Sequence, residues 1–273
     1  LFCTHTMATN STPPAEGSAR CEALLSSAPA AWWGTEPTIA VLSFFVWMNL
    51  FRSREVKESF AQRWLRPPYR FALSGAASIA IYWLGVALWV ANVRAPEGVE
   101  TGCVSGPASA FRLCIECASG LLGYDFIFFW LHLSMHVSPR IGHLLGHGRH
   151  HELDGSAEKA IESSFRTTHH SIVDGGLQVL SNILVQRYTP WGTAKTRLAR
   201  WCHNVIITYM LVESHTSAPS PAIARRFFSG VRRHNIHHRT RGPPFQQFFG
   251  YLDHYVTPFF VANLKGPLKD RSG

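Results

Sequence analysis

The sequence HLSMHVSPRIGHLLGHGRHH, residues 132–151, contains an HxxxH pair followed by an HxxHH set, and HNIHH at 234–238 repeats the second pattern. On a helix, side chains three and four positions apart share one face, so each set directs its imidazoles towards one point. Eight imidazoles exceed what one tetrahedral zinc ion needs, which favours two metal ions. The predicted ligands are His132, His136, His147, His150, His151, His234, His237 and His238.

Composition and charge predict that these histidines belong to a membrane protein. Hydrophobic residues make up 46% of the 273 residues, with 18 Phe and nine Trp, and they occur in blocks. The net charge of +9 comes from basic residues that lie between the apolar blocks rather than along one polar stripe. This pattern favours anionic lipid headgroups over nucleic acid. We therefore expect an integral membrane protein that binds no nucleic acid.

Three apolar segments predict membrane helices, with the clearest span at 71–93 and others at 37–51 and 110–131. The basic loop at 52–70 is expected to face the cytosol, and the less basic segment at 94–108 the lumen. The third helix then returns to the cytosolic side and delivers the first two histidines at its end.

Two shorter apolar pieces, 172–185 and 205–212, flank a loop with several basic residues. If both pieces crossed the bilayer, this loop would lie on the lumenal side, against the positive-inside tendency. We therefore expect a re-entrant or shallow hairpin in the cytosolic leaflet. The six cysteines form no metal-ligand array, and the sequence assigns them no chemistry.

The ordered histidine sets resemble the motifs of the membrane-bound fatty acid hydroxylase and sterol desaturase superfamily, whose members use a non-haem di-iron centre. The resemblance covers about residues 115–260. Glu213, Ser214 and His215 resemble a family segment that ends in His-Ser-Gly, although the Gly is absent here, and they make His215 a ninth candidate ligand. His170 precedes an acidic residue as in another family segment, without the family's Pro, and is a tenth candidate.

A metal-binding imidazole also needs an acceptor for its second ring nitrogen, because this acceptor fixes the tautomer and the ring orientation. Carboxylates close to the histidine sets are the natural candidates. The predicted partners are Glu152, Asp174, Glu213 and Asp253.

The resemblance implies an all-α integral membrane helical bundle with a cytosolic histidine-rich metal-binding cap. We expect a disordered lead at 1–35, membrane helices at 36–108, a fatty acid hydroxylase-type catalytic domain at 109–262 and a tail at 263–273. The implied localisation is the endoplasmic reticulum membrane, with the active site facing the cytosol.

The implied reaction is O2-dependent hydroxylation, or desaturation, of a membrane lipid such as a sterol, fatty acyl or sphingoid chain, in lipid biosynthesis. Two Fe ions are the implied cofactors. The sequence contains no Gly-rich dinucleotide fingerprint, so electrons from NAD(P)H are expected through a separate cytochrome b5-type donor and its reductase. A carotenoid hydroxylase, a zinc-using membrane hydrolase and a non-redox membrane metal-binding or transport protein remain open alternatives.

Overall fold

The computed structural model describes residues 19–23, 32–55, 80, 84, 102–104, 106–151, 167–187, 192, 194–216, 228 and 230–263. These residues are mostly helical and contain no β-strand, which confirms the all-α prediction. The helices are α1 (Trp32–Glu55), α2 (Pro107–Val137), α3 (Pro139–Leu145), α4 (Ile172–Arg187), α5 (Arg197–Ser214), α6 (Gly230–Thr240), α7 (Tyr251–Tyr255) and α8 (Thr257–Asn263), with a 3₁₀ helix at His147–His151.

Helix α2 carries the first histidine pair and has 31 residues. It begins at Pro107, whose fixed φ suits the first helical position. It ends at Val137 because Pro139 holds the preceding Ser138 in an extended conformation, with φ −104° and ψ 109°. Among the described residues, α2 is the one helix long and apolar enough to cross a membrane. The helix predicted at 110–131 is therefore found, and it continues past His136.

Helix α1 packs along α5 and is longer than the predicted segment 37–51. Met48 and Phe51 of α1 form a small core cluster with Val212 of α5. The indole Nε1 of Trp47 donates a hydrogen bond to the carbonyl oxygen of Val205 at 3.1 Å. Helix α1 begins inside the segment 1–35 for which the composition predicted disorder. Apart from residues 80 and 84, the predicted span 71–93 lies outside the described residues.

Helices α4 and α5 form a hairpin that reaches further along α2 than predicted. Thr196, the N-terminal cap of α5, donates hydrogen bonds from its backbone N and its Oγ1 to Glu116 Oε2 at 2.9 and 2.7 Å. Glu116 precedes His132 by 16 positions, which corresponds to about 24 Å of helix. The hairpin therefore runs along most of α2, and its depth in a bilayer stays a prediction.

Two of the basic residues that argued against a deep hairpin are buried rather than exposed at its tip. Arg200 is 1% exposed, and its Nε lies 3.3 Å from Glu36 Oε1 of α1. Lys195 is also 1% exposed. A buried charge is tolerated when it is paired, so the carboxylates of α1 and α2 offset the basic residues of the hairpin.

A disulfide joins Cys21 to Cys103, 82 residues apart, just before α2. The expectation that the cysteines carry no chemistry is therefore wrong for this pair. A separation of 82 residues gives no local spacing signal, so the pairing depends on the fold. Cys117 is buried on α2, and its thiol donates to the carbonyl oxygen of Ala199 at 3.5 Å, which agrees with the structural role expected for it.

The main apolar core lies between α2, α5 and the segment 245–252. Its two clusters contain Leu121, Tyr124, Phe128, Ile207, Met210 and Phe248, and Phe129, Leu133, Phe245 and Leu252. The Phe128 ring lies 5.1 Å from the His132 ring, so this core supports the histidine-bearing end of α2 from the side.

Candidate metal centre

Nine of the ten histidines predicted as ligands come together in two adjacent groups at the C-terminal end of α2. They are supplied by α2, the 3₁₀ helix, the end of α5, and α6. The ligand atoms within each group all lie within 4.8 Å of one another. The first group contains His132, His136, His147, His151 and His237, and the second contains His150, His215, His234 and His238.

In the five-histidine group the Nε2 atoms face each other. His136 Nε2 lies 3.2 Å from His132 Nε2 and 3.1 Å from His147 Nε2. His151 Nε2 lies 3.0 Å from His147 Nε2 and 3.2 Å from His237 Nε2. Three separate elements therefore place five ring nitrogens around one point.

The four-histidine group has the same construction. His215 Nε2 lies 3.4 Å from His150 Nε2 and 2.9 Å from His234 Nε2, and His238 Nε2 lies 2.9 Å from His234 Nε2. All four side chains are buried. His150 and His151 are adjacent in sequence but belong to different groups, so the 3₁₀ helix contributes to both.

Backbone and side-chain oxygens fix the tautomers of most of these rings through Nδ1. An oxygen of a carbonyl or an ionised carboxylate only accepts a hydrogen bond, so the Nδ1 facing it carries the proton and Nε2 keeps its lone pair. The five pairs are His132 with Phe245 O at 2.7 Å, His237 with Gly242 O at 2.7 Å, His215 with Leu211 O at 2.8 Å, His147 with Asp174 Oδ2 at 2.9 Å, and His150 with His169 O at 3.2 Å.

Burial also keeps these imidazoles neutral. Desolvation lowers the pKa of His237 from 6.5 to about 4. It also holds the pKa values of His150, His151 and His234 well below 6.5, and the neighbouring histidines lower them further. A neutral imidazole is the form that binds a metal ion, so the centre is ready to bind metal at neutral pH.

The Nε2 arrangement fits a cation in each group. Lone pairs that face each other at these distances repel unless a positive charge lies between them. Nitrogens bound to one metal ion at about 2.1 Å would be about 3.0 Å apart at right angles and about 3.4 Å apart in a tetrahedron. The separations of 3.0 to 3.2 Å in the five-histidine group match right angles. The five-histidine set is larger than the four-ligand set of a closed structural zinc site.

Comparison with known families agrees with this centre. The family model described as fatty acid hydroxylase matches residues 117–257, just over half of the chain, and this range includes all nine histidines. The chain belongs to the fatty acid hydroxylase family. This finding confirms the family resemblance inferred from the histidine spacing. No match was found among curated proteins or among solved structures.

His170, the tenth predicted ligand of this family member, lies beside the centre but outside both groups. Its ring stacks on the His150 ring with centroids 4.2 Å apart and an angle of 12°. Its Nε2 donates to the carbonyl oxygen of Thr167 at 2.8 Å, and its Nδ1 lies 3.2 Å from Gln178 Nε2. Because both ring nitrogens face protein atoms, the structure places His170 as a support for His150.

The four carboxylates that were predicted to accept hydrogen bonds from the histidine rings lie at different places relative to the two histidine groups. Asp174 is fully buried and accepts from His147 Nδ1, as expected of a partner that orients a ligand. Ser171 Oγ accepts from the backbone N of Asp174 at 3.0 Å, which fixes the start of α4. Glu213 is buried, two positions before His215 of the second group. Glu152 lies outside the described residues.

Asp253 and Asp125 act on the histidines indirectly, because they hold the segment that carries Phe245. Asp253 accepts from the backbone N atoms of Phe245 and Gln246 at 2.7 and 3.0 Å. Asp125 of α2 accepts from Gln246 Nε2 and from the backbone N of Phe248 at 2.5 and 2.8 Å. The carbonyl oxygen of Phe245 is thereby held against His132.

Sequence reasoning named Asp253 but missed Asp125. The available signal was a carboxylate in an apolar helix, seven positions before His132 and so on the same helical face. The backbone carbonyls that accept from Nδ1 carry no sequence signal.

Proposed function

We propose that this fatty acid hydroxylase family member is an O2-dependent di-iron oxidoreductase that hydroxylates a membrane lipid in lipid biosynthesis. The observation that carries the proposal is the pair of adjacent groups, which offer nine imidazole nitrogens. Imidazole ligand sets that leave coordination positions open on the metal suit redox-active iron. A closed structural zinc site, in contrast, uses four protein ligands and leaves no position open. When bound, reduced iron activates O2 for attack on an unactivated C–H bond.

The chain's own residues position and shield this centre. The five Nδ1 acceptors fix the rings, and the aromatic core beside α2 excludes water from the His132 side. The net reaction consumes a lipid C–H bond, O2, two electrons and two protons, and it yields a lipid alcohol and water. Desaturation starts with the same hydrogen abstraction, so the product decides between the two outcomes.

The exposed face of α2 supports a membrane substrate. Phe111, Ile115, Leu122 and Phe126 are 37 to 69% exposed and recur four or seven positions apart along one side of the helix. We infer that this face contacts lipid, and that α2 crosses the bilayer with the centre at its C-terminal end.

The disulfide supports an orientation. Disulfides persist in oxidising compartments, and Cys103 lies just before the N-terminal end of α2, opposite the centre. We infer that this end faces the lumen of the endoplasmic reticulum and that the metal centre faces the cytosol.

Electrons are proposed to come from NAD(P)H through a cytochrome b5-type donor and its reductase. Arg239 and Arg241 follow the last histidine set, and both residues are exposed. A positive surface beside the centre favours an acidic carrier. Docking there would bring the carrier close to the five-histidine group, because His237 Nδ1 lies 2.7 Å from the carbonyl oxygen of Gly242, next to Arg241.

The test is lipid analysis of a host that expresses the chain under ¹⁸O2, compared with the His150→Ala variant. We expect an ¹⁸O-labelled hydroxy-lipid that is absent with the variant. A new alkene without label would reassign the reaction to desaturation. An unchanged lipid profile in every fraction would refute the proposed function.

A further inference from the structure

Gln178 of α4 contacts one supporting residue of each histidine group through a single side-chain nitrogen. Its Nε2 donates to Asp174 Oδ1 at 3.3 Å and to His170 Nδ1 at 3.2 Å. Asp174 lies four positions before Gln178 on α4, the spacing at which Gln and Asp side chains meet on one helical face. An amide nitrogen carries two hydrogens, so it can donate to both acceptors at once.

The hydrogen bond to Asp174 leads to the five-histidine group. Each carboxylate oxygen has its own donor, because Oδ1 accepts from Gln178 and Oδ2 accepts from His147 Nδ1 at 2.9 Å. Asp174 is fully buried, so its carboxylate depends on hydrogen bonds within the protein. Gln178 therefore helps to fix the orientation of the carboxylate that in turn orients His147.

The hydrogen bond to His170 leads to the four-histidine group. His170 Nε2 donates to the carbonyl oxygen of Thr167, so Nδ1 keeps its lone pair and accepts from Gln178. The His170 ring is stacked on the His150 ring at 4.2 Å. His150 Nδ1 donates to the carbonyl oxygen of His169 at 3.2 Å, the longest of the five Nδ1 bonds in the centre. The orientation of His150 therefore depends more on its stacked neighbour.

His170 and Asp174 need a shared donor because their acceptor atoms face each other. His170 Nδ1 lies 3.5 Å from Asp174 Oδ2, and the two side chains are 11% and 0% exposed. A nitrogen lone pair and a carboxylate oxygen repel at this distance in a buried site. The amide of Gln178 offsets this repulsion by donating to both residues. Without this donor, the His170 ring should turn away from its stacked position.

We propose that Gln178 is a positioning residue that supports both histidine groups. It acts on His147 through Asp174, and it acts on His150 through His170. The inference rests on the metal centre of the proposed function. A change at Gln178 should therefore weaken metal binding in both groups, whereas a change at either of its two partners should weaken it in one.

The test measures Co²⁺ binding to the metal-free full-length chain, since Co²⁺ binds imidazole sites and its visible absorption depends on the arrangement of its ligands. Gln178→Met keeps the side-chain length and removes the donor. We expect about a three- to tenfold loss of Co²⁺ affinity in both phases of the titration, with shifted absorption bands. A variant that only destabilised the fold would leave the bands of the folded protein unchanged.

Two sets of histidine variants assign the effect to each group. The His234→Ala/His238→Ala chain retains the complete five-histidine group, and the His132→Ala/His136→Ala/His237→Ala chain retains the complete four-histidine group. Both chains keep His147 and His150, through which Gln178 acts. Adding Gln178→Met should lower the Co²⁺ affinity of each chain.

Further variants make the test specific to the two contacts. Asp174→Asn keeps an oxygen for Gln178 and should weaken the five-histidine group alone. His170→Ala removes the stacked ring and should weaken the four-histidine group alone. Gln178→Glu places an acceptor against two acceptors and should weaken both groups more than Gln178→Met does. Gln186→Met makes the matched change at a buried glutamine of α4 that donates to Asn204, and it should affect neither group.

An effect of Gln178→Met on one group only, or on neither, would overturn the inference. An equal effect of Gln186→Met would also overturn it, because that result would indicate a general loosening of α4. Co²⁺ binding is measured without turnover, so the result does not depend on the reaction. The expected pattern in a chain without O2-dependent activity would refute the proposed reaction and leave the role of Gln178 standing.

Discussion

Asp174→Asn should weaken metal binding in the five-histidine group alone. The Asp174 carboxylate is fully buried and accepts from His147 Nδ1 at 2.9 Å. Replacing it with a neutral amide removes a charge-assisted hydrogen bond of about 1.5–3 kcal/mol, which corresponds to about a ten- to hundredfold loss of affinity. The four-histidine group does not contain His147, so its affinity should be unchanged.

The assay is anaerobic titration of the metal-free chain with Fe²⁺, with bound iron measured after gel filtration. Wild-type protein should bind two equivalents at an iron concentration at which Asp174→Asn binds one. Glu116→Gln is the matched control, since it makes the same change at a buried carboxylate far along α2. Equal affinities of both sites in Asp174→Asn and wild type would refute the reasoning about the acceptor.

Three further predictions concern stability. Asp125→Ala leaves Gln246 and Phe248 donors unpaired, so it should lower the free energy of unfolding by on the order of 3 kcal/mol, and an unchanged Tm would contradict this. Gly120→Ala places a Cβ 2.6 Å from His203 Nδ1 and should cost about 1–3 kcal/mol, whereas an Ala at Gly176, with nothing within 4 Å, should be neutral or stabilising. Burial lowers the pKa of His237 from 6.5 to about 4, so between these pH values the unfolded chain binds more protons at His237 than the folded chain. The Tm of the metal-free chain should therefore be highest above pH 6.5 and fall towards pH 4. A pH-independent Tm would count against this.

Helical spacing in the sequence was sufficient to predict most of the histidines that come together. His132 and His136 share a face of α2, and His234, His237 and His238 share a face of α6, because positions three and four apart align on any helix. The division of the nine histidines into groups of five and four could not be predicted. It depends on how the 3₁₀ helix places His150 and His151 towards different groups.

Most of the features that sequence reasoning missed depend on contacts between distant residues. The long α4–α5 hairpin requires Glu116 to accept from Thr196, 80 residues away, and Glu36 to pair with Arg200. The charge rule counts basic residues and does not include such buried pairs. His170 carries the residue type of a ligand, but local hydrogen bonds turn both of its ring nitrogens to the protein.

Metal content is the most direct test of the central claim, that two adjacent groups of histidines hold two iron ions. Full-length protein should be loaded anaerobically with Fe²⁺, desalted, and measured by elemental analysis, with His254→Ala as a control outside both groups. We predict about two iron ions per chain in wild type and control, and about one in a His234→Ala/His238→Ala double variant. One zinc ion and no iron in the wild-type chain would contradict the account.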